Sequence, residues 1–205
     1  MGLSENRSFV NLGRSVFLDS PLNASYTNVN LTNFSCTSLA LGDIELENVS
    51  FYLWDLDSLE YNVFENISGL INSTNFLYNL SVEGNYSWNC LSFSNDSNSS
   101  FSLNNYSIVF DQTLPLIENL SVNLETNSAT ISWNTSEASN HSSTLGENSS
   151  HYSLNHSISF SGLSESTTYS YILFSCDRAS NCANHSGSFN TLSSIGSESV
   201  NTGGG

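Results

Sequence analysis

The stretch Gly84-Asn85-Tyr86-Ser87-Trp88-Asn89-Cys90 constrains this chain more than any other. Read with period two, Tyr86, Trp88 and Cys90 point to one face while Asn85, Ser87 and Asn89 point to the other, the mark of a half-buried β-strand. Its last inward residue is a cysteine whose distant upstream partner is Cys36, in a second alternating run where Phe34 shares its face. Two strands so far apart in sequence, stapled face to face, predict a β-sandwich.

The neighbouring runs agree. An apolar run at 15–18 is stopped by Asp19-Ser20-Pro21, and strands are expected at 30–37 and 48–54. In the latter, Val49, Phe51 and Leu53 alternate with Ser50, Tyr52 and Trp54, so both faces are partly apolar. A loosely patterned stretch runs through Gly69; then Phe76, Tyr78, Leu80 and Val82 mark another strand. Residues 95–100 form a turn by composition, and Tyr106, Ile108 and Phe110 close the set. Beyond the linker Asp111-Gln112-Thr113-Leu114-Pro115 a second set begins: Leu120 and Val122; Ala129, Ile131 and Trp133; Ile158, Phe160 and Leu163; Tyr169, Tyr171 and Leu173. The two sets echo each other without a gap, Tyr86-Ser-Trp88 against Tyr169-Ser-Tyr171 and Ser97-Asn98 against Ser180-Asn181. The expectation is an all-β chain of two tandem sandwiches at 14–111 and 112–192, with an N-terminal extension at 1–13 and a flexible Ser/Gly-rich tail at 193–205.

Four cysteines, spaced as one wide and one tight pair, point to an oxidising compartment. Bridging Cys36 to Cys90 closes a loop worth about 4 kcal/mol and bridging Cys176 to Cys182 about 2.5 kcal/mol by chain entropy. Free buried thiols are the alternative. No C-x-x-C occurs, which argues against a zinc ribbon.

The polar side of the composition is unusual. Only 11% of residues are charged, Lys is absent, and the basic residues are Arg7, Arg14 and Arg178 against a net charge of -16. Such a chain repels phosphate, so neither nucleic acid nor an anionic membrane surface is an expected partner. No run approaches the length of a membrane span, and MGLSENRSFV at the start is too polar for a signal peptide, as in a mature or excised piece of an exported protein.

Asn-x-Ser/Thr sequons number eighteen, among them Asn23, Asn33, Asn48, Asn79, Asn85, Asn105, Asn119, Asn134 and Asn155. An Asn- and Ser-rich chain makes many by chance. Placement adds weight: Asn33, Asn79, Asn85, Asn105 and Asn119 fall on the polar faces of expected strands, where a glycan projects into water.

A serine-proline pair near the start, Phe34-Ser-Cys36, Val49-Ser-Phe-Tyr-Leu-Trp54, Tyr86-Ser-Trp-Asn-Cys90 and the Asn/Asp/Ser turn before the last strand together make residues 14–111 resemble immunoglobulin-like domains, above all those repeated in archaeal and bacterial surface proteins. One departure stands out. That family buries a tryptophan of the third strand on the disulfide, yet Trp54 has the opposite parity to Val49, Phe51 and Leu53, so either it is surface-exposed or the strand is bulged. Residues 114–191, with Ser128-Ala-Thr-Ile-Ser-Trp133 and Leu163-Ser-Glu-Ser-Thr-Thr-Tyr169, are similar to fibronectin type III domains. The resemblance implies that Tyr169 hydrogen-bonds back to upstream backbone as a corner.

No catalytic constellation emerges. Absence of Lys removes Schiff-base chemistry, no Gly-x-Ser-x-Gly elbow occurs, and His141, His151, His156 and His185 sit in polar contexts that read as solvated. His151 and His156 are candidates for opportunistic metal binding. Calcium is the better-suited metal, for Asp43, Glu45, Glu47, Asp55 and Asp57 crowd the segment around the third strand; a solvated acidic surface explains the same residues. Tyr52 and Trp54 are contact candidates, for a sugar ring or a protein.

The expected function is a non-enzymatic, extracellular structural or adhesive module of a glycosylated cell-surface protein, a stalk or filament piece. Its partners would be other surface proteins or copies of itself, joined by strand exchange through Phe9, Val10 and Leu12 of residues 1–13. The alternative is an accessory domain of a secreted hydrolase that presents substrate or binds carbohydrate.

Overall fold

The computed structural model describes residues 13–56 and 58–194. The strand-exchange segment, Asp57 and all but the first two residues of the tail lie outside the described residues. The chain divides into two compact units, Met1–Gln112 and Thr113–Gly205. Among the described residues every regular element is a β-strand, and none forms a helix able to cross a membrane.

The first unit is a sandwich. β1 (Arg14–Ser20), β3 (Leu31–Ala40) and β6 (Ile71–Asn79) form one antiparallel sheet in the order β1-β3-β6. The other sheet runs β2 (Ser25–Thr27), β9 (Tyr106–Phe110), β7 (Gly84–Ser94), β4 (Leu46–Asp55), β5 (Ser58–Asn66), with β8 (Ser99–Phe101) on the upper half of β7. β1 and β2 are successive pieces of the chain in different sheets. Pro21 lies between them and has no N–H to continue the β1 ladder; β2 then pairs with β9 in parallel.

Alternation fills the space between the sheets. Phe34 and Cys36 from β3 meet Val49, Phe51 and Leu53 from β4 and Trp88 and Cys90 from β7, all fully buried. Cys36 and Cys90 are bridged, with Cα atoms 6.5 Å apart, so the staple ties the two sheets through the core. Tyr86 enters the same core, and its hydroxyl donates to the Val82 carbonyl at 2.7 Å, fixing the corner where the chain turns from β6 into β7. Val82 is exposed and lies beyond the strand expected to hold it: β6 ends at Asn79 and the corner claims the residues after it.

In the second unit one long bent hairpin serves both faces. β11 (Ser128–Ser143) and β12 (Asn148–Ser161) pair along their length, but the register breaks between Asn134 and Ser139. Before the break β11 also pairs with β10 (Ile117–Leu124); after it, with β13 (Thr168–Cys176), which pairs with β14 (Cys182–Asn190). Each half of the hairpin therefore belongs to a different layer of a second sandwich. Ala129, Ile131, Trp133, Ile158 and Phe160 from one layer pack with Tyr171, Leu173 and Phe189 from the other. The fold class is thus all-β, with immunoglobulin-like and fibronectin type III-like sandwiches in tandem.

The internal echo extends to backbone. Ser97 and Ser180 both take left-handed φ, at 61° and 71°, in turns where Ser94 N–H bonds to Asn98 O and Asp177 N–H bonds to Asn181 O. Cys176 and Cys182 flank the second of these turns and are bridged. Tyr169 matches Tyr86 in position and role: the Ser164 amide donates to its hydroxyl at 2.9 Å.

Candidate functional site

The outer face of β4 carries Asn48, Ser50, Tyr52 and Trp54, because Val49, Phe51 and Leu53 occupy the inner one. Tyr52 and Trp54 are half-buried and stacked on each other, their ring centroids 5.6 Å apart with 10° between planes. Phe101 of β8 leans on Tyr52 at 5.4 Å. In register beside Ser50 stand Phe64 of β5 and Leu91 of β7, and Leu91 in turn pairs with Phe101. The result is an apolar strip across four strands, an aromatic patch that suits an apolar protein surface or the C–H face of a sugar.

Trp54 is half-buried rather than surface-exposed, and the strand is irregular beside it. The side chain faces outward, and β4 shifts register against β5 between Leu53 and Trp54. The core place beside the disulfide goes instead to Trp88, edge-on to Phe34 at 5.3 Å and two residues before Cys90 on the same face. Sequence parity on β7 already marked it as inward.

The second unit buries a polar network at the bend of its hairpin. His156 is 4% exposed and stacks on Trp133 at 5.2 Å, so it is not the solvated histidine its polar neighbours imply. His156, Ile158 and Phe160 share one strand face, and that parity was the signal available in the sequence. Thr135 Oγ1 donates to the Glu137 carbonyl and accepts from Ser139 Oγ, and His156 Nε2 lies within hydrogen-bond distance of both hydroxyls, 3.0 Å from Thr135 Oγ1 and 3.2 Å from Ser139 Oγ. His156 Nδ1 and His141 Nδ1 form a further hydrogen-bonded pair at 3.0 Å. Burial holds both imidazoles below the ordinary histidine value, and the adjacent His141 lowers His156 further. Ser139 is fully buried and the Trp133 indole donates to the fully buried Ser175 hydroxyl at 3.1 Å. These groups satisfy one another inside the core and present nothing to a substrate.

His151, the other residue of the metal pair suggested by sequence, is exposed on β12 and is not joined to His156. Among the described carboxylates Asp43, Glu45, Glu47 and Asp55, no three bring ligand atoms within 4.8 Å of one another. The reason is strand length: Glu47 and Asp55 lie at opposite ends of β4, about 26 Å apart at 3.3 Å per residue.

Of the sequon asparagines singled out above, Asn23, Asn33, Asn79, Asn85, Asn105, Asn119 and Asn155 are exposed, while Asn48 and Asn134 are half-buried. Several are held by hydrogen bonds between side-chain amides. Asn33 Nδ2 donates to Asn75 Oδ1 at 3.1 Å, Asn105 Oδ1 accepts from the buried Asn89 at 2.7 Å, and Asn134 donates to Asn155 across β11 and β12.

No family model matches the chain, and no curated protein matches it. Among solved structures, the crystal structure of the FN1–FN3 domains of chicken CNTN1 is similar, at 12% identity and a TM-score of 0.41, covering 83% of this chain and 66% of that one.

Proposed function

We propose that this chain is a non-enzymatic extracellular module, a structural or adhesive piece of a glycosylated cell-surface protein. The observation that carries the reading is the exposure of Asn33, Asn79, Asn85, Asn105, Asn119 and Asn155 at sequons on two sandwiches that each contain an internal disulfide. Disulfides and glycans belong to the same oxidising route out of the cell. A lysine-free surface of short amides presents little charge to chance partners, as suits a spacer in a stalk or filament. The test is glycopeptide mapping of the chain secreted from a host that attaches N-linked glycans. Occupancy at several of these sequons is expected; a wholly unmodified secreted chain contradicts the reading.

The outward aromatic cluster of Tyr52, Trp54 and Phe101 favours a second reading, an accessory domain that binds carbohydrate for a secreted hydrolase. Polysaccharide binding that disappears in Trp54→Ala would select this reading over the spacer.

A further inference from the structure

On the outer face of the β1-β3-β6 sheet, leucine and sequon asparagine alternate in a checkerboard. Leu31 and Asn33 are successive outward residues of β3, and Leu77 and Asn79 are successive outward residues of β6. The antiparallel register sets Leu31 opposite Asn79 and Asn33 opposite Leu77. Each asparagine thus has one leucine two residues before it on its own strand, about 6.6 Å away, and the other directly across, with Cβ atoms about 5 Å apart. Leu31 is 59% and Leu77 64% exposed, although a sheet interior flanked by Phe34, Phe76 and Leu80 lies just beneath. A leucine pair left in water on a flat sheet face is a site for association.

We infer that Asn33 and Asn79 carry N-linked glycans whose first sugars lie over Leu31 and Leu77, so that the oligosaccharide is the missing cover of this face. The inference rests on the reading of the chain as a glycoprotein. In the transfer, the amide nitrogen of each asparagine bonds to the anomeric carbon of an oligosaccharide donated as its lipid-linked phosphate ester. The carbon–oxygen bond to phosphate breaks, the lipid phosphate leaves, and one amide proton passes to base. The second proton stays, and on Asn33 it is the one that bonds to Asn75 Oδ1, which holds the side chain down along the sheet and aims the sugar across the strand pair. A pyranose has an apolar C–H face that suits a leucine side chain, with its hydroxyls left in water. The same spacing recurs on the other sheet, where exposed Phe64 precedes exposed Asn66 by two residues on the outer face of β5, and Asn66-Ile-Ser68 is a sequon.

The experiment uses the full chain secreted by an N-glycosylating host, with Asn33→Gln/Asn79→Gln and the same pair plus Leu31→Ser/Leu77→Ser. Enzymatic removal of glycans from the folded wild-type protein serves if the glutamine variant does not fold. Expected are glycopeptides at both asparagines, a gain of apolar-dye fluorescence and a shift from monomer to larger species on glycan loss, and return to dye-silent monomer when the leucines are also replaced. Glycans at other sequons with Asn33 and Asn79 bare overturn the inference and leave the glycoprotein reading standing. A chain without any glycan overturns both. Occupied asparagines whose removal changes neither dye binding nor size show that the sugars do not cover the leucines, and overturn it too.

Discussion

The Tyr171 ring lies over Gly187, its cross-strand partner, so closely that a Cβ built on the glycine would stand 2.4 Å from the phenol oxygen. Tyr171 is buried and tilted against Phe189, so its aromatic ring cannot swing aside without disturbing the core. Gly187→Ala is therefore expected to cost about 1–3 kcal/mol by overpacking, read as a fall of several degrees in the melting midpoint of the second unit. An unchanged midpoint would contradict the close packing of Tyr171. The histidine pair makes a different residue-scale prediction. Both groups have folded values below the ordinary 6.5, so the unfolded chain binds more protons in mild acid and folding weakens as pH falls. Two cations cannot share an N–N contact of 3.0 Å, and the folded pair resists the second proton. Stability of the second unit should be full above about pH 6.5 and decline below it. The first unit contains no histidine. Its shifted carboxylate, Asp96, is held down to about 2 by hydrogen bonds from Asn98 and Ser94 and by Arg14, so its contribution is lost only in much stronger acid. Thermal melts from pH 7 to pH 5 should move one transition and leave the other, and parallel movement of both would refute the assignment.

At the scale of elements, what could be read in the sequence was what buries apolar side chains at period two. β1, β3, β4, β6, β7, β9 and the first half of β11 announce themselves that way, and Phe34, Cys36, Trp88 and Cys90 fall where their parity puts them. β5 did not, because an edge strand with Tyr61 and Val63 facing in and Phe64 facing out has apolar residues on both sides. β2 and β8 are too short to show a period. The second half of β11, Ser-Asn-His-Ser-Ser, and the start of β12 escaped for a physical reason: they line a core end that is itself polar, filled by Ser139, Ser175, Thr135 and His156. Alternation of hydrophobicity is blind to burial achieved by hydrogen bonding. The aromatic strip was half legible. Tyr52 and Trp54 stood out, while Phe101 and Phe64 join them only through strand register.

The whole molecule is two sandwiches, each with its own core and its own disulfide. The Cys36–Cys90 bond joins the sheets of the first unit only, and the core of the second, around Trp133, Ile158 and Leu173, makes no use of it. Calorimetry of the chain with both Cys36 and Cys90 replaced by Ala tests this most directly. The account predicts that one transition falls, by the equivalent of about 2–5 kcal/mol, while the other stays where it was; two transitions that fall together, or neither, would contradict it.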